Sequence, residues 1–373
     1  MALAIILFLL TVGSILFHFL SPWYFTPLAS NWSAIDNALD ITFWVTGVVF
    51  ILVNLFLIYC IVKFRYSKGR RAHYEPENKK LEIWLTIVTS IGIVAMLTPG
   101  LYVWAKFVNP PEDADVFEVV GKQWSWSYRF PGEDGALGTV DTRHISSDNP
   151  FGINPDDPNG QDDILVSSNE VHLPIDRPVN ALLRSDDVLH DFAVAQFRVK
   201  MDMVPGLVTE MWFTPTKLGK YDVLCEELCG VGHYMMRGHV VVDEEADFKA
   251  WLDTHPTYAE TVSGTGAAAA TAGLSLVEQG RMLADSRACL VCHTIDGSTG
   301  IGPTWQGLFG KTETFTDGTT VVVDADYLKE SILNPNAKIV EGYAPAMPPG
   351  SYTDEELEAL ITYIRDGLSE DSE

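Results

Sequence analysis

Hydrophobic positions fall along this chain in three regimes. In the first they run almost unbroken. Ala2 to Leu20 carries only small polar residues and His18, Ile41 to Val62 carries no charge, and Ile83 to Ala105 is interrupted by Pro99-Gly100. Each run approaches or exceeds the ~20 residues that cross a bilayer core, so three transmembrane helices are expected. From Val116 the period drops to two. Trp124, Trp126, Tyr128 and Phe130 alternate with Ser125, Ser127 and Arg129, which marks a half-buried strand. Further short strands are expected over Val179 to Arg184, Val208 to Phe213, Tyr221 to Leu224 and His239 to Val242. Together they indicate a small all-β sandwich or barrel, closed by a helix near Glu244 to Leu252. Pro131 to Asp163, rich in Gly, Pro, Asn and Asp, reads as a long excursion from it.

The third regime is helical. Leu274 to Ala284 leads in, and Thr353 to Leu368 is an amphipathic final helix opened by a Thr353/Glu356 capping box. Between the β and helical parts lies His255 to Gly273, with Pro256, Gly264, Gly266 and an Ala/Thr run. It has little to bury and reads as a linker. The expected organisation is therefore a membrane anchor over 1–106, an all-β domain over 107–254, a flexible linker over 255–273 and an all-α domain over 274–373.

Charge orients this arrangement. No Lys or Arg precedes Lys63, whereas Lys63, Arg65, Lys68, Arg70, Arg71, Lys79 and Lys80 lie between the second and third apolar runs. The positive-inside rule puts that loop and the N-terminus in the cytoplasm, and everything after Ala105 outside. The first run lacks a basic n-region and a clear small-x-small cleavage site, which favours a retained span over a signal peptide. Trp23 and Tyr24 behind it read as an interfacial aromatic belt, and His18 as an interfacial histidine. Residues 1–106 are net +3 and residues 107–373 net −28, giving the overall −25. Such acidity argues against a nucleic-acid partner. It suits either a basic protein partner or simple solubility.

Five cysteines are present. Cys60 lies in an apolar run and reads as an inert buried thiol. The other four fall in two metal-type clusters, leaving none for a disulfide framework. Cys225, Cys229, His233 and Met236 are spaced by four, four and three residues. Soft sulfur ligands with imidazole are what copper prefers, and a weak Met is a common axial ligand in electron-transfer copper sites. One copper needs only one cysteine, while two cysteines four apart can bridge a copper pair. Zinc is the chemical rival, though it would not require the Met. The second cluster, Cys289-Leu290-Val291-Cys292-His293, is a c-type haem attachment motif. Met347, in Ala344-Pro345-Ala346-Met347-Pro348-Pro349, offers the second axial ligand, and a His/Met pair raises the haem potential toward that of electron carriers.

With His190, which follows Val188-Leu189, the first cluster resembles subunit II of the haem–copper cytochrome c oxidases. That family's pattern is a His after Val-Leu, then Cys-x-Glu-x-Cys-x3-His-x2-Met, on a cupredoxin-like β-barrel. The resemblance implies a binuclear CuA centre in which Cys225 and Cys229 bridge, His190 and His233 cap, and Met236 and the Glu227 carbonyl bind weakly. It also implies that the Glu227 side chain reaches a magnesium ion shared with subunit I. Trp124, in Gly121-Lys122-Gln123-Trp124, corresponds to the residue through which electrons arrive from cytochrome c. Lys122 stands where the family often has His. Asp186 and Asp187 match acidic docking positions, and a solvated loop explains them equally well. Glu82 resembles the acidic mouth of a proton channel.

Residues 274–368 resemble small class I cytochromes c. Gly302-Pro303 matches the pair whose carbonyl orients the proximal His. Gly280 and Tyr363 fit the crossing of first and last helices, and Trp305 fits packing on the haem. The resemblances imply an oxidoreductase subunit in a bacterial inner membrane, with both redox domains periplasmic. Its partners would be subunit I, other oxidase subunits, and a soluble or membrane cytochrome c or bc1-type complex as donor. A quinol oxidase subunit would lack the copper ligands, and a copper-delivery protein would not need the attached haem. A nitric oxide reductase subunit with a CuA relay remains the alternative.

Overall fold

The computed structural model describes residues 2–21, 26–71, 76–146, 149–264, 273–350 and 352–368. The proposed aromatic belt at Trp23 and Tyr24, and the Ala/Thr run from Ala267 to Ala272, lie outside them. The chain divides into two units, Met1–Asn109 and Pro110–Glu373.

Among the described residues the first unit has three helices long and apolar enough to cross a membrane: α1 (Ala2–Leu20), α2 (Ser33–Lys63) and α3 (Lys79–Phe107). At 19 residues, α1 spans about 28 Å, close to the hydrocarbon thickness. Helix α3 continues through Pro99, as expected of a single span. Proline forfeits one backbone hydrogen bond. The acceptor it leaves without an N–H is Ala95 O, one turn back. Glu82 sits exposed in the first turn of α3. Cys60 is half-buried, contrary to the expectation of a buried thiol, because its helix leaves most of its apolar face uncovered.

The second unit begins with ten strands: β1 (Asp115–Lys122), β2 (Ser125–Phe130), β3 (Ile164–Val166), β4 (Glu170–Pro174), β5 (Val179–Ser185), β6 (His190–Val194), β7 (Val199–Met203), β8 (Thr209–Phe213), β9 (Gly219–Cys225) and β10 (Arg237–Asp243). They form two five-stranded sheets, ordered β3-β2-β1-β5-β8 and β4-β10-β9-β6-β7. This is the cupredoxin-like architecture. Trp126, Tyr128, Phe192, Val223 and Val240 are buried between the sheets.

Alternation along β2 fails at Arg129, which is buried rather than solvated. Its Nε donates to Glu118 Oε2 on β1 at 2.6 Å, and its Nη1 donates to Asp163 Oδ2 at 2.6 Å and Gly138 O at 2.9 Å. Arg184 on β5 also pairs with Glu118, and reaches Phe151 O at 2.8 Å. The excursion over 131–163 is thus latched to the sheet largely by buried charges. Phe151 and Ile153 fill a small core with Val120, Leu165 and Tyr258.

Tyr258 exposes a second difference. Behind α4 (Glu245–Leu252), the chain from His255 to Gly264 is folded where a linker was expected. It makes α5 (Tyr258–Val262), opened by a Thr257/Glu260 capping box, and Leu165 N donates to Pro256 O. The buried Tyr258 ring supplies the apolar anchor that composition alone did not reveal.

The last part contains α6 (Leu276–Ser286), a hairpin of β11 (Thr312–Thr314) and β12 (Thr320–Val322), α7 (Ala325–Leu333) and α8 (Asp354–Thr362). The expected Thr353/Glu356 capping box is formed, and a π-helical turn over Tyr363–Gly367 extends α8. Helix α6 crosses α8 at Gly280, where a Cβ would lie 2.1 Å from Ala359 O and 2.6 Å from Tyr363 Cβ.

Candidate metal centre

Strand β9 ends at Cys225, and the loop to β10 carries the remaining sulfur and imidazole donors. Antiparallel pairing of β6 with β9 sets Phe192 opposite Cys225, which brings His190 at the head of β6 to the same end of the sheet. Cys225 Sγ lies 3.7 Å from Cys229 Sγ and 3.8 Å from His190 Nδ1. Cys229 Sγ lies 3.5 Å from His233 Nδ1 and 3.9 Å from Met236 Sδ. The Glu227 carbonyl oxygen is 3.2 Å from Cys225 Sγ. All six residues singled out for copper therefore meet at one point. Cys225, Cys229, His190 and Met236 are buried.

Two thiolates, two imidazoles, a thioether and a carbonyl form a soft, mixed donor set that fits copper. Burial pushes both thiols up. At Cys225 the His190 imidazole and the backbone at Asp191 and Glu227 outweigh it, holding this thiol near 6. Cys229, facing the sulfur of Cys225, stays raised. One sulfur is thus ready to ionise ahead of its neighbour, and a bound cation would supply the charge that ionises the second.

Trp124 is only 5 % exposed. Its Nε1 donates to Cys229 O at 3.2 Å, and Gln123 Nε2 donates to the same carbonyl at 2.8 Å. Gly230 and Gly232 cover the ring. A Cβ at Gly232 would lie 2.3 Å from Trp124 Cδ2, and one at Gly230, where φ is +117°, 3.1 Å from Cζ2. Trp126 and Tyr128 belong to the packed face of β2, with Trp126 edge-on to Phe192 at 5.2 Å.

Asp187 was read as a docking charge or a solvated residue, yet its carboxylate faces inward. Oδ1 accepts from His190 Nε2 at 2.8 Å and Val188 N at 2.7 Å, while Oδ2 accepts from Gln123 N at 2.8 Å. Burial pushes this carboxyl up, but the three bonds outweigh it and hold it below the ordinary carboxylate value. In return, burial pulls His190 down while Asp187 and Cys225 raise it to about 8. The Asp-x-x-His spacing was the one available signal for this pair.

The haem motif lies on a short 3-10 turn, Cys289–Val291, following α6. His293 Nδ1 donates to Pro303 O at 2.8 Å, which leaves Nε2 free, and Trp305 stacks on the imidazole at 5.0 Å. A Cβ at Gly302 would come 2.8 Å from the His293 ring. Burial lowers the His293 pKa, keeping it neutral, as an iron ligand must be. His293 and Met347 line one crevice with Ile301, Leu308, Leu328 and Tyr343. A largely apolar crevice with nitrogen and thioether donors and the Cys292 thiol in its lining fits a covalently held haem.

A family model described as "Cytochrome C oxidase subunit II, periplasmic domain" matches residues 116–244, and one described as "Cytochrome c" matches residues 277–367. An alternative cytochrome c oxidase subunit 2 of Bradyrhizobium diazoefficiens is 56% identical over 259 residues, covering 69% of this chain and 94% of that protein. A cytochrome c oxidase subunit 2 of Alkalihalophilus pseudofirmus is 26% identical over 338 residues, 85% of this chain and 84% of its own length. The crystal structure of the periplasmic domain of subunit II of cytochrome oxidase from Bradyrhizobium japonicum covers 39% of this chain and 96% of its own, at 28% identity and a TM-score of 0.29. The chain belongs to the cytochrome c oxidase subunit 2 family and carries a cytochrome c domain behind its copper domain.

Proposed function

We propose that this subunit relays electrons from a haem held by Cys289, Cys292, His293 and Met347 to a CuA pair held by His190, Cys225, Glu227, Cys229, His233 and Met236. The acceptor beyond is the haem–copper subunit I, which reduces oxygen to water with proton pumping. Bound there, the copper pair would supply one-electron chemistry, with Cys225 and Cys229 as the thiolates that would hold it. The observation that carries this reading is the meeting of all six copper donors at the end of β6 and β9. These six donors would hold the copper pair and leave no position for substrate, which suits a relay.

Trp124, bonded to the carbonyl of a bridging cysteine, is the proposed point of electron arrival. The haem domain follows on the same polypeptide, so its encounter with the copper domain is intramolecular and at millimolar effective concentration, on the order expected for short linkers. Both domains then lie on the periplasmic face of the inner membrane, with a cytochrome c or bc1-type complex as donor. The Glu227 carboxylate would reach a magnesium ion at the subunit I interface, and Glu82 would stand at a proton-channel mouth.

Oxygen uptake by the purified complex with a reduced cytochrome c, run beside nitric oxide consumption, tests the assignment. Oxygen uptake is expected; nitric oxide consumption alone would sink it. The relatives named above are oxidase subunits, which disfavours the nitric oxide alternative. Met347→Leu is expected to leave haem attached and lower its potential, and an unchanged haem spectrum would refute that axial assignment.

A further inference from the structure

The geometry points to Asp187 as the positioning residue of the copper ligand His190, a role resting on the copper reading above. A histidine presents a metal with one ring nitrogen only when the other is held. Here the hold is complete: Nε2–H points at Asp187 Oδ1 at 2.8 Å, so Nδ1 carries the lone pair and faces Cys225 Sγ at 3.8 Å. The space for the ring is set from the other side by Gly121, where a Cβ would lie 3.4 Å from His190 Cδ2.

Asp187 is itself held. Val188 N fixes Oδ1, and Gln123 N fixes Oδ2. Gln123 then closes a ring, because its Nε2, together with Trp124 Nε1, binds the carbonyl of Cys229. His190 comes from β6 and Cys229 from the loop after β9, and no backbone ladder joins these two residues. The Asp187–Gln123 pair is the bridge that fixes their separation. A carboxylate serves both bonds, because its two oxygens accept in different directions. An amide keeps an acceptor for His190 but turns a donor toward Gln123 N–H.

The test uses the full chain in its oxidase complex, with Asp187→Asn and Asp187→Ala compared to wild type. Readouts are copper per chain, copper affinity by chelator competition, the EPR hyperfine pattern and the potential of the copper pair. Removing the partner of a ligating histidine lowers metal affinity by about 10–100-fold, the drop expected for Asp187→Ala with an altered EPR pattern. Asp187→Asn, which retains the acceptor, is expected to recover most of the affinity and to differ from wild type mainly in potential. A docking charge alone predicts otherwise: both variants would weaken donor binding equally, with wild-type copper signals, and that result overturns the inference. Should Asp187→Ala not fold, Asp187→Asn still decides, since wild-type EPR and potential in that variant are equally fatal. Failure of the copper reading itself would show separately, as wild-type protein lacking two coppers per chain.

Discussion

The copper loop and the haem crevice are both built to hold a redox group, yet they are prepared in opposite ways. Around copper the donors are gathered, and two of them are secured by other residues: His190 by Asp187, and Cys229 by Gln123 and Trp124. Around the haem only one donor is secured, His293 by Pro303, while Met347 sits in a loop without regular structure and the two thiols are half-buried. The size of the group accounts for this. Two copper ions bring almost no surface and depend on donors fixed to fractions of an ångström. A haem brings its own apolar faces, so the domain leaves a crevice and lets the group complete the core.

Four variants probe that contrast. The largest effect is expected from Cys225→Ser, which abolishes the copper centre and its visible absorption while leaving far-UV circular dichroism and the haem bands unchanged. Its counterpart, Cys289→Ser with Cys292→Ser, is expected to leave a haem domain rapidly cut by protease. Equal protease sensitivity of the copper-free and haem-free domains would break the comparison. Next comes Arg129→Met. It strands Asp163 in the interior and leaves Glu118 with Arg184 alone, and loss of one partner from a buried ion pair costs about 3–5 kcal/mol. Thermal unfolding should fall accordingly with the copper EPR signal intact, because the ring around Asp187 is local. The smallest is Gly280→Ala. Its methyl group meets the backbone of α8, an overpacking of about 1–3 kcal/mol. It should show as weaker haem incorporation and a lower melting temperature of the haem domain alone.

What the sequence disclosed and what it hid follow from the same physics. Membrane spans, the β2 alternation, the Thr353 cap and the ligand spacings are all local, so each could be read within about a dozen residues. Arg129 could not, because the carboxylates that make its burial tolerable lie on β1 and, through Asp163, beyond the whole excursion. Tyr258 was hidden for a like reason: its pocket is assembled from Val120, Phe151, Ile153 and Leu165, none of them near it in the chain. Asp187 resembled a surface charge because acidity was the visible property, whereas the direction in which its oxygens point is a property of the folded turn.

Gly230 and Gly232 have a consequence for sequence variation. They belong to a loop whose Leu228, Val231 and Tyr234 stand out in solvent, where almost any residue is ordinarily tolerated. At the two glycines even alanine collides with the Trp124 ring or its neighbour Gln123. The loop is therefore a surface with the substitution rules of an interior: free at one position, closed at the next. Over the tryptophan it carries backbone alone.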